Sequence, residues 1–398
     1  MPEPAPGRPA GGCNVCGAAG FETIYRSRGA HCLTSLCQLR PGGVEVFFCR
    51  SCGHLGTAAL ADVEDFYESD YKILINSAEE DQIYETDGET ITYRTDHQMK
   101  VLKDKIDLRP DIALLDYGSA KAEMSRRLKR DVPRLDVHLY DVSRMYLSFW
   151  DEFTTTDKQA IHRTPEDWAA RFDLVTSYFA FEHIPDPAEA ARHVASLLKP
   201  GGVFYAIVPD TFGNVADLIV ADHVNHFTRA SMTRLLADAG FGDLEIDAEA
   251  HRGAFVVTAV RGGTPPAPIA WTEVARLREE VGKLAAYWER AGARLAQAER
   301  EANDGQPGGG SRAAIYGAGF YGAFIYASLA HPEKVACFLD RNPFQQGRTL
   351  FDVPIEAPEA MPEGVCTVYV GLNPAIARKA LAGAAFLDRP GVSAAFLD

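Results

Sequence analysis

Residues 173–186, DLVTSYFAFEHIPD, lie between two short apolar runs, residues 112–115 and residues 203–208. Each run reads as a buried strand, and Asp173-Leu174-Val175 opens a third. Helical segments separate the three, giving the order strand, helix, strand, helix, strand. That alternation makes a parallel sheet, because each crossover helix carries the chain back to start the next strand in the same direction. Parallel sheets bind their ligands beyond the carboxyl ends of the strands. Polar residues collect at those ends: Asp116, Tyr117 and Gly118 after the first run, Asp141 after LDVHLY, Glu182 and His183 after DLVTSYF, and Asp210 after the LKPGG strand. The expected class is α/β, with a ligand cleft along that edge.

A chain of 398 residues allows two or three domains. The net charge of −15 argues against a general nucleic-acid binder, and an anionic substrate then needs a local basic pocket. No apolar run reaches membrane length, so a membrane is not expected as a partner. Residues 1–12, MPEPAPGRPAGG, read as a disordered Pro/Gly tail rather than a signal peptide, which points to a cytoplasmic protein with reduced cysteines.

Residues 13–75 read as a metal-binding module. Cys13-x-x-Cys16-Gly and Cys49-x-x-Cys52-Gly are paired knuckles, and the glycine after each eases the turn that lets both thiolates face one ion. Four thiolates suit tetrahedral zinc in a closed, structural site. So short a segment has little core of its own, and the metal is expected to hold it together. Cys32, Cys37 and His54 are nearby spares. The acidic turn that follows carries Tyr67 and Tyr71. They read either as half-buried packing residues or as phenols projecting into the cleft.

Residues 76–110 read as a connector followed by a helix that opens near Tyr93, turns Val101, Leu102 and Ile106 inward, and stops at Pro110. His97 on it reads as a surface or packing residue. The main α/β domain is expected over residues 111–262. Within it Thr164-Pro165 reads as a helix cap, and Asp186-Pro187 starts another helix. Residues 222–227 hold Asp222, His223, Asn225 and His226. Their spacing matches no familiar metal set, and a histidine base supported by a carboxylate is the better chemical reading.

Residues 263–310 comprise linkers and a long helix. Val274, Leu277, Val281, Leu284, Trp288, Ala291, Leu295 and Ala298 alternate three and four apart, a heptad seam that must be buried within the chain or on a second copy, so monomer and homodimer both stay open. Residues 311–398 open on a strand, the loop Gly317-x-Gly319-x-x-Gly322 and a helix, and Asp340 ends the next strand. This is the dinucleotide fingerprint in its proper setting, yet the domain is too short for two mononucleotide-binding halves. It reads as a half-Rossmann domain that holds a nucleotide diphosphate or nothing.

The segments LLDYGS, LYDVS, FDLVTSYFAFEHIPDP and LLKPGGVFYAIVPD, in that order, resemble the class I S-adenosylmethionine (SAM) methyltransferases. The resemblance implies a Rossmann-like central domain that binds SAM through Asp116, Gly118 and Ser119 in the first loop, Asp141 at the ribose, Thr164 and Pro165 near the adenine, and Phe179, Glu182 and His183 after the third strand. An acid at Asp141 suits ribose hydroxyls, and Gly118 lets backbone approach the ligand. The family's further loop glycines are replaced by Ala120 and Ala122, so any left-handed position there costs about 1 kcal/mol or more.

Over nearly its whole length the chain resembles the sugar C-methyltransferases, which act on nucleotide-linked 4-keto deoxysugars. Residues 220–228 align with that family's Tyr-His-Glu-His-x-Ser-Tyr-Phe-Ser segment. The alignment implies His223 as the base and Asp222 as its acidic neighbour; His226 is expected as a further site residue, and in the enolate chemistry that the resemblance implies Tyr67 or Tyr71 donates to the enolate oxygen. Val220 and Ala221 stand where the family has tyrosine and histidine. O- or N-methylation, a nicotinamide enzyme working through the last domain, and a non-catalytic scaffold are the competing expectations.

Overall fold

A computed structural model describes residues 12–27, 31–59, 81–87, 90–304 and 312–398. The chain divides into two compact units: residues 1–26 with 44–281, and residues 27–43 with 282–398.

In the first unit, β1 (Phe21–Arg26), β2 (Glu45–Cys49) and β3 (Leu55–Thr57) form an antiparallel ribbon that carries the cysteine knuckles. Helix α1 (Arg94–Lys105) follows, its first turn held by Asp81, whose carboxylate accepts the Thr95 amide. Val101 and Leu102 are buried as expected, but the helix stops five residues short of Pro110, so that proline is not what ends it. Strands β4 (Ala113–Tyr117), β5 (Asp136–Asp141), β6 (Gln159–Ile161), β7 (Phe172–Tyr178) and β8 (Leu198–Pro209) make the parallel part of a large sheet, with α2 (Glu123–Asp131) and α3 (Pro187–Leu197) among their crossovers. Asp186 caps α3 by accepting the Glu189 amide, with Pro187 in the first turn, as the Asp-Pro pair predicts.

After β9 (Asn225–His226) and α4 (Arg229–Asp238), β10 (Phe241–His251) and β11 (Ala254–Arg261) complete the sheet as an antiparallel pair, giving the order β6-β5-β4-β7-β8-β11-β10. Apolar residues cover both faces. Trp168, Phe172, Phe181 and Phe204 pack on one side, and Leu114, Leu139, Trp150 and Tyr205 on the other. Burying a large side chain of this kind contributes about 1.5–3 kcal/mol, so the sheet is the rigid frame on which the site is built.

The small sheet does not stand alone. Its order is β1-β2-β3-β9, so the fourth strand comes from the segment that carries His226. Thr164 and Pro165 do not cap an α-helix: a three-residue 3-10 turn follows them, and the Thr164 hydroxyl pairs with His193 Nε2 at 2.9 Å.

Helix α5 (Trp271–Asp304) carries the expected seam, and Val274, Leu277, Val281, Leu284, Trp288, Ala291 and Leu295 are all buried within the chain. In the second unit β12 (Arg312–Tyr316), α6 (Phe320–Ser328), β13 (Val335–Leu339), β14 (Thr349–Leu350), β15 (Val353–Glu356), β16 (Val365–Val370) and β17 (Ser393–Phe396) form a sheet of order β14-β15-β13-β12-β16-β17. Gly322 sits tight against the loop: an added Cβ would lie 1.9 Å from the Gly317 carbonyl oxygen. Gly317 has φ +96°, and an added Cβ there would lie 2.4 Å from the Gly371 carbonyl oxygen, so two of the three fingerprint glycines are accounted for without a ligand.

Candidate active site and metal centre

The loop after β4 is tied to the end of β5. Tyr140 O accepts the amides of Gly118 and Ser119 at 2.9 and 3.1 Å. Asp141 Oδ2 accepts the Ala120 amide at 2.8 Å, and its Oδ1 accepts the Ser143 amide at 2.9 Å. Burial raises the Asp141 pKa, and the backbone donors oppose that rise. Asp141 therefore anchors the loop as well as standing at the expected ribose position. Val142 beside it is 46% exposed, an apolar surface that a flat ring would cover. These features fit an adenosyl group.

Asp116 and Ser119 turn inward instead. The Asp116 carboxylate accepts from Ser125 Oγ at 2.7 Å and lies 3.5 Å from Thr176 Oγ1, and burial pushes its pKa up to about 7. Ser119 Oγ donates to Tyr140 O. Their side chains shape the loop rather than face the cleft. Gly118 has φ +76°, and an added Cβ would meet Ala180 Cβ at 2.7 Å. Phe179, at φ +52°, lies under the Arg94 guanidinium, 3.7 Å from the ring centre.

Past β7, a 3-10 turn carries Glu182 and His183 into contact with the segment before β9. The rings of His183 and His223 meet edge to face at 4.7 Å. His183 Nδ1 lies 3.0 Å from the Asp222 carbonyl oxygen and 3.6 Å from its carboxylate. Asp222 thus reaches His183. The carboxylate at hydrogen-bond distance from His223 is Asp217, whose Oδ1 lies 2.7 Å from His223 Nδ1. Asp217 is fully buried, and its Oδ2 also accepts from Thr211 Oγ1 at 2.9 Å and meets His226 Nδ1 at 3.2 Å. Sequence reasoning missed it. The available signal was one acid inside the apolar stretch VADLIVA, which must find a buried partner.

Burial would lower the His223 pKa, but the hydrogen bond and charge of Asp217, with the charges of Asp222 and Glu182, outweigh it and lift it to about 9. Burial would raise the Asp217 pKa, and the two histidines hold it below the usual carboxylate range. Glu182 Oε2 is buried without a hydrogen-bond partner, and burial lifts its carboxyl to about 7. Donor atoms of Glu182, His183 and His223 lie within 4.8 Å of one another, a spacing a cation also accepts. A His223 that holds a proton at neutral pH offers an N–H there rather than a lone pair, which disfavours a cation at that pH; its neutral form, reached as pH rises toward 9, offers the lone pair of a base. His226 is fully buried, with its nitrogens on Asp217 and on Thr57 Oγ1, so it cannot touch a ligand as expected. Tyr67 and Tyr71 lie outside the described residues.

The four knuckle cysteines bring their sulfurs within 4.8 Å of one another, with Cys13–Cys52 and Cys16–Cys49 at 3.7 Å. A tetrahedron of Zn–S bonds of about 2.3 Å has edges near 3.8 Å, so the group fits that ion. Gly17 and Gly53 close the knuckles at φ +72° and +71°, where a side chain would be strained.

The family described as "Methyltransferase domain" matches residues 93–246, the span that holds α1, the parallel strands and the Asp217–His223 pair. Residues 93–246 form a class I methyltransferase domain. The methyltransferase domain is similar to two curated ubiquinone biosynthesis O-methyltransferases. The one from Marinobacter nauticus is 43% identical over 51 residues, covering 13% of this chain and 21% of that protein. The one from Proteus mirabilis is 29% identical over 94 residues, covering 23% and 38%. The chain thus spans well under half the length of these relatives. A solved SAM-dependent methyltransferase from Mesorhizobium loti is similar at 16% identity and a TM-score of 0.35, covering 42% of this chain and 98% of that one.

Proposed function

We propose that the protein is a SAM-dependent methyltransferase that methylates the carbon beside the ketone of a nucleotide-linked keto-deoxysugar. The observation that carries this reading is the Asp217–His223 pair beside Glu182 and His183. A histidine whose rear nitrogen donates to a buried carboxylate has one tautomer and one orientation, which is what a general base needs. SAM supplies an electrophilic methyl group when bound. His223 Nε2 takes the proton from the carbon beside the ketone, and the C–H electron pair passes into the enolate. Were SAM bound, that carbon would take its methyl group, and the electrons of the broken C–S bond would leave with sulfur. Asp217 stabilises the imidazolium meanwhile, and the buried surroundings exclude water. Asp141 accepts from ribose hydroxyls while holding the loop. Cys13, Cys16, Cys49 and Cys52 hold a structural zinc.

A second reading, O-methylation, is favoured by the names of the curated relatives, both ubiquinone biosynthesis O-methyltransferases. The same base would then deprotonate a hydroxyl.

Thermal denaturation tests the cofactor. SAM at a hundred times its Kd should stabilise the protein by about 2.7 kcal/mol, and NAD should not shift the melting temperature. Asp141→Ala should weaken SAM binding and also lower the melting temperature without ligand, since two loop amides lose their acceptor. No shift with millimolar SAM would refute the proposal.

A further inference from the structure

Beyond the methyltransferase domain's own residues, a hydrogen-bond chain runs from the base into the cysteine-bearing sheet. Asp217 Oδ1 meets His223, its Oδ2 meets His226 Nδ1 at 3.2 Å, and His226 Nε2 meets Thr57 Oγ1 at 2.8 Å. The backbone fixes this register. His226 pairs with Leu55 and Asn225 with Gly56 where β9 joins β3, and the Thr57 amide donates to Val224 O at 3.1 Å. Asn14, between the first two cysteines, donates to Asn225 Oδ1 at 2.6 Å, and Asn225 in turn donates to Phe181 O and Ile184 O on either side of Glu182 and His183.

We propose that Thr57 is a positioning residue for His223, acting through His226 and Asp217, so that the cysteine-bearing sheet sets the basicity of the catalytic histidine. The direction of the chain follows from what each group can offer. The ionised Asp217 only accepts, so both histidines present Nδ1–H to it. The tautomer of His226 that presents Nδ1–H to the carboxylate leaves its Nε2 bare, and the Thr57 hydroxyl donates to it. That bond draws electron density away from Nδ1–H and makes it a better donor. Asp217 then pulls less on the His223 proton, and His223 is more readily freed to act as a base. Charged and titratable groups facing this chain are Asp217, Asp222, Glu182 and His183 around His223, and His54 with Asp217 around His226.

The inference rests on His223 as the base, but its test needs no substrate. The intact, zinc-replete protein labelled with ¹⁵N-histidine is titrated by NMR, and the midpoint of His223 is read. Thr57→Val should move it up by about half a pH unit, leaving roughly three-fold less neutral His223 at pH 7. Thr57→Ser should restore it, and zinc content should be unchanged in both. His226→Phe, which removes the donor to Asp217, should move the midpoint further the same way. His226→Asn, whose amide nitrogen stands in for Nδ1, should leave it near wild type. An unmoved midpoint in folded Thr57→Val overturns the proposal. If that variant fails to fold, equal midpoints in His226→Phe and His226→Asn overturn it instead. A relay that behaves as described in a protein that methylates nothing would leave the positioning intact and remove only the proposed reaction.

Discussion

Ala120 adopts φ +44° and Ala122 φ +57° in the loop after β4, so the chain keeps the left-handed turns of a glycine-rich loop while paying for side chains in them. Each costs roughly 1–2 kcal/mol. Ala122 is buried and its methyl group packs in the core, whereas Ala120 is only partly buried. Ala120→Gly should therefore stabilise the protein by about 1 kcal/mol, seen as a higher denaturant midpoint at unchanged slope. At the same scale, the Asp217–His223 pair fixes the pH response. His223 is lifted from 6.5 to about 9 in the folded chain, so its contribution to stability is fully present below pH 6.5 and is lost as pH rises through 9. In the proposed reaction proton removal by His223 needs the neutral ring, so exchange of a substrate C–H should rise with pH toward the same value. Asp217→Asn should flatten the stability loss between those limits and move the activity limb to lower pH. Stability and rate profiles identical to wild type would contradict the assignment. His223 was legible in the sequence from its acid–histidine neighbourhood, but its partner was not. Asp222 is adjacent in sequence and reaches His183, while Asp217 arrives from a separate 3-10 turn six positions earlier.

The same loop-and-acid element occurs in both units. In the first, Asp141 at the end of β5 accepts the Ala120 and Ser143 amides. In the second, Asp340 after β13 accepts the Ala318 and Asn342 amides, each at 2.8 Å. An acid about twenty residues beyond a glycine loop is thus explained first as a loop anchor, which is why the fingerprint over residues 317–340 does not by itself call for NAD. Strands β4, β5, β7 and the second half of β8 were legible because each is a short apolar run covered on both faces, whereas the three-residue β6, with only Ala160 buried, left no such run. Strand β10 was not: it is the outer edge of the sheet, its residues DLEIDAEA are half acidic, and few of them turn inward. The cysteine knuckles were fully legible from spacing alone. Elemental analysis of purified protein should find one zinc per chain, and Cys49→Ser should lose it and destabilise the knuckle-bearing sheet. A Cys49→Ser protein that keeps its full zinc would remove that cysteine from the site.

At the scale of the whole chain, the order of segments carried more information than any one motif. The knuckles, the parallel sheet with acids at its strand ends, the heptad helix and the second glycine loop were each readable. No helix among the described residues is long and apolar enough to cross a membrane. What order alone did not reveal is that β9 completes the cysteine-bearing sheet. That pairing joins segments about 170 positions apart and leaves only a two-residue trace in the sequence. It brings the knuckles, the buried aspartate and the histidine into one hydrogen-bonded body, on which the proposed chemistry depends. The most direct measurement is the fate of a nucleotide-linked 4-keto deoxysugar incubated with the protein and SAM in deuterated water. The account predicts a new C–CH₃ bond beside the ketone and, in reactions without SAM, deuterium entering at that same carbon when deprotonation is reversible. His223→Ala should lose both by roughly 10²–10⁴-fold. A product methylated on oxygen or nitrogen, or a His223→Ala enzyme methylating at near wild-type rate, would contradict it.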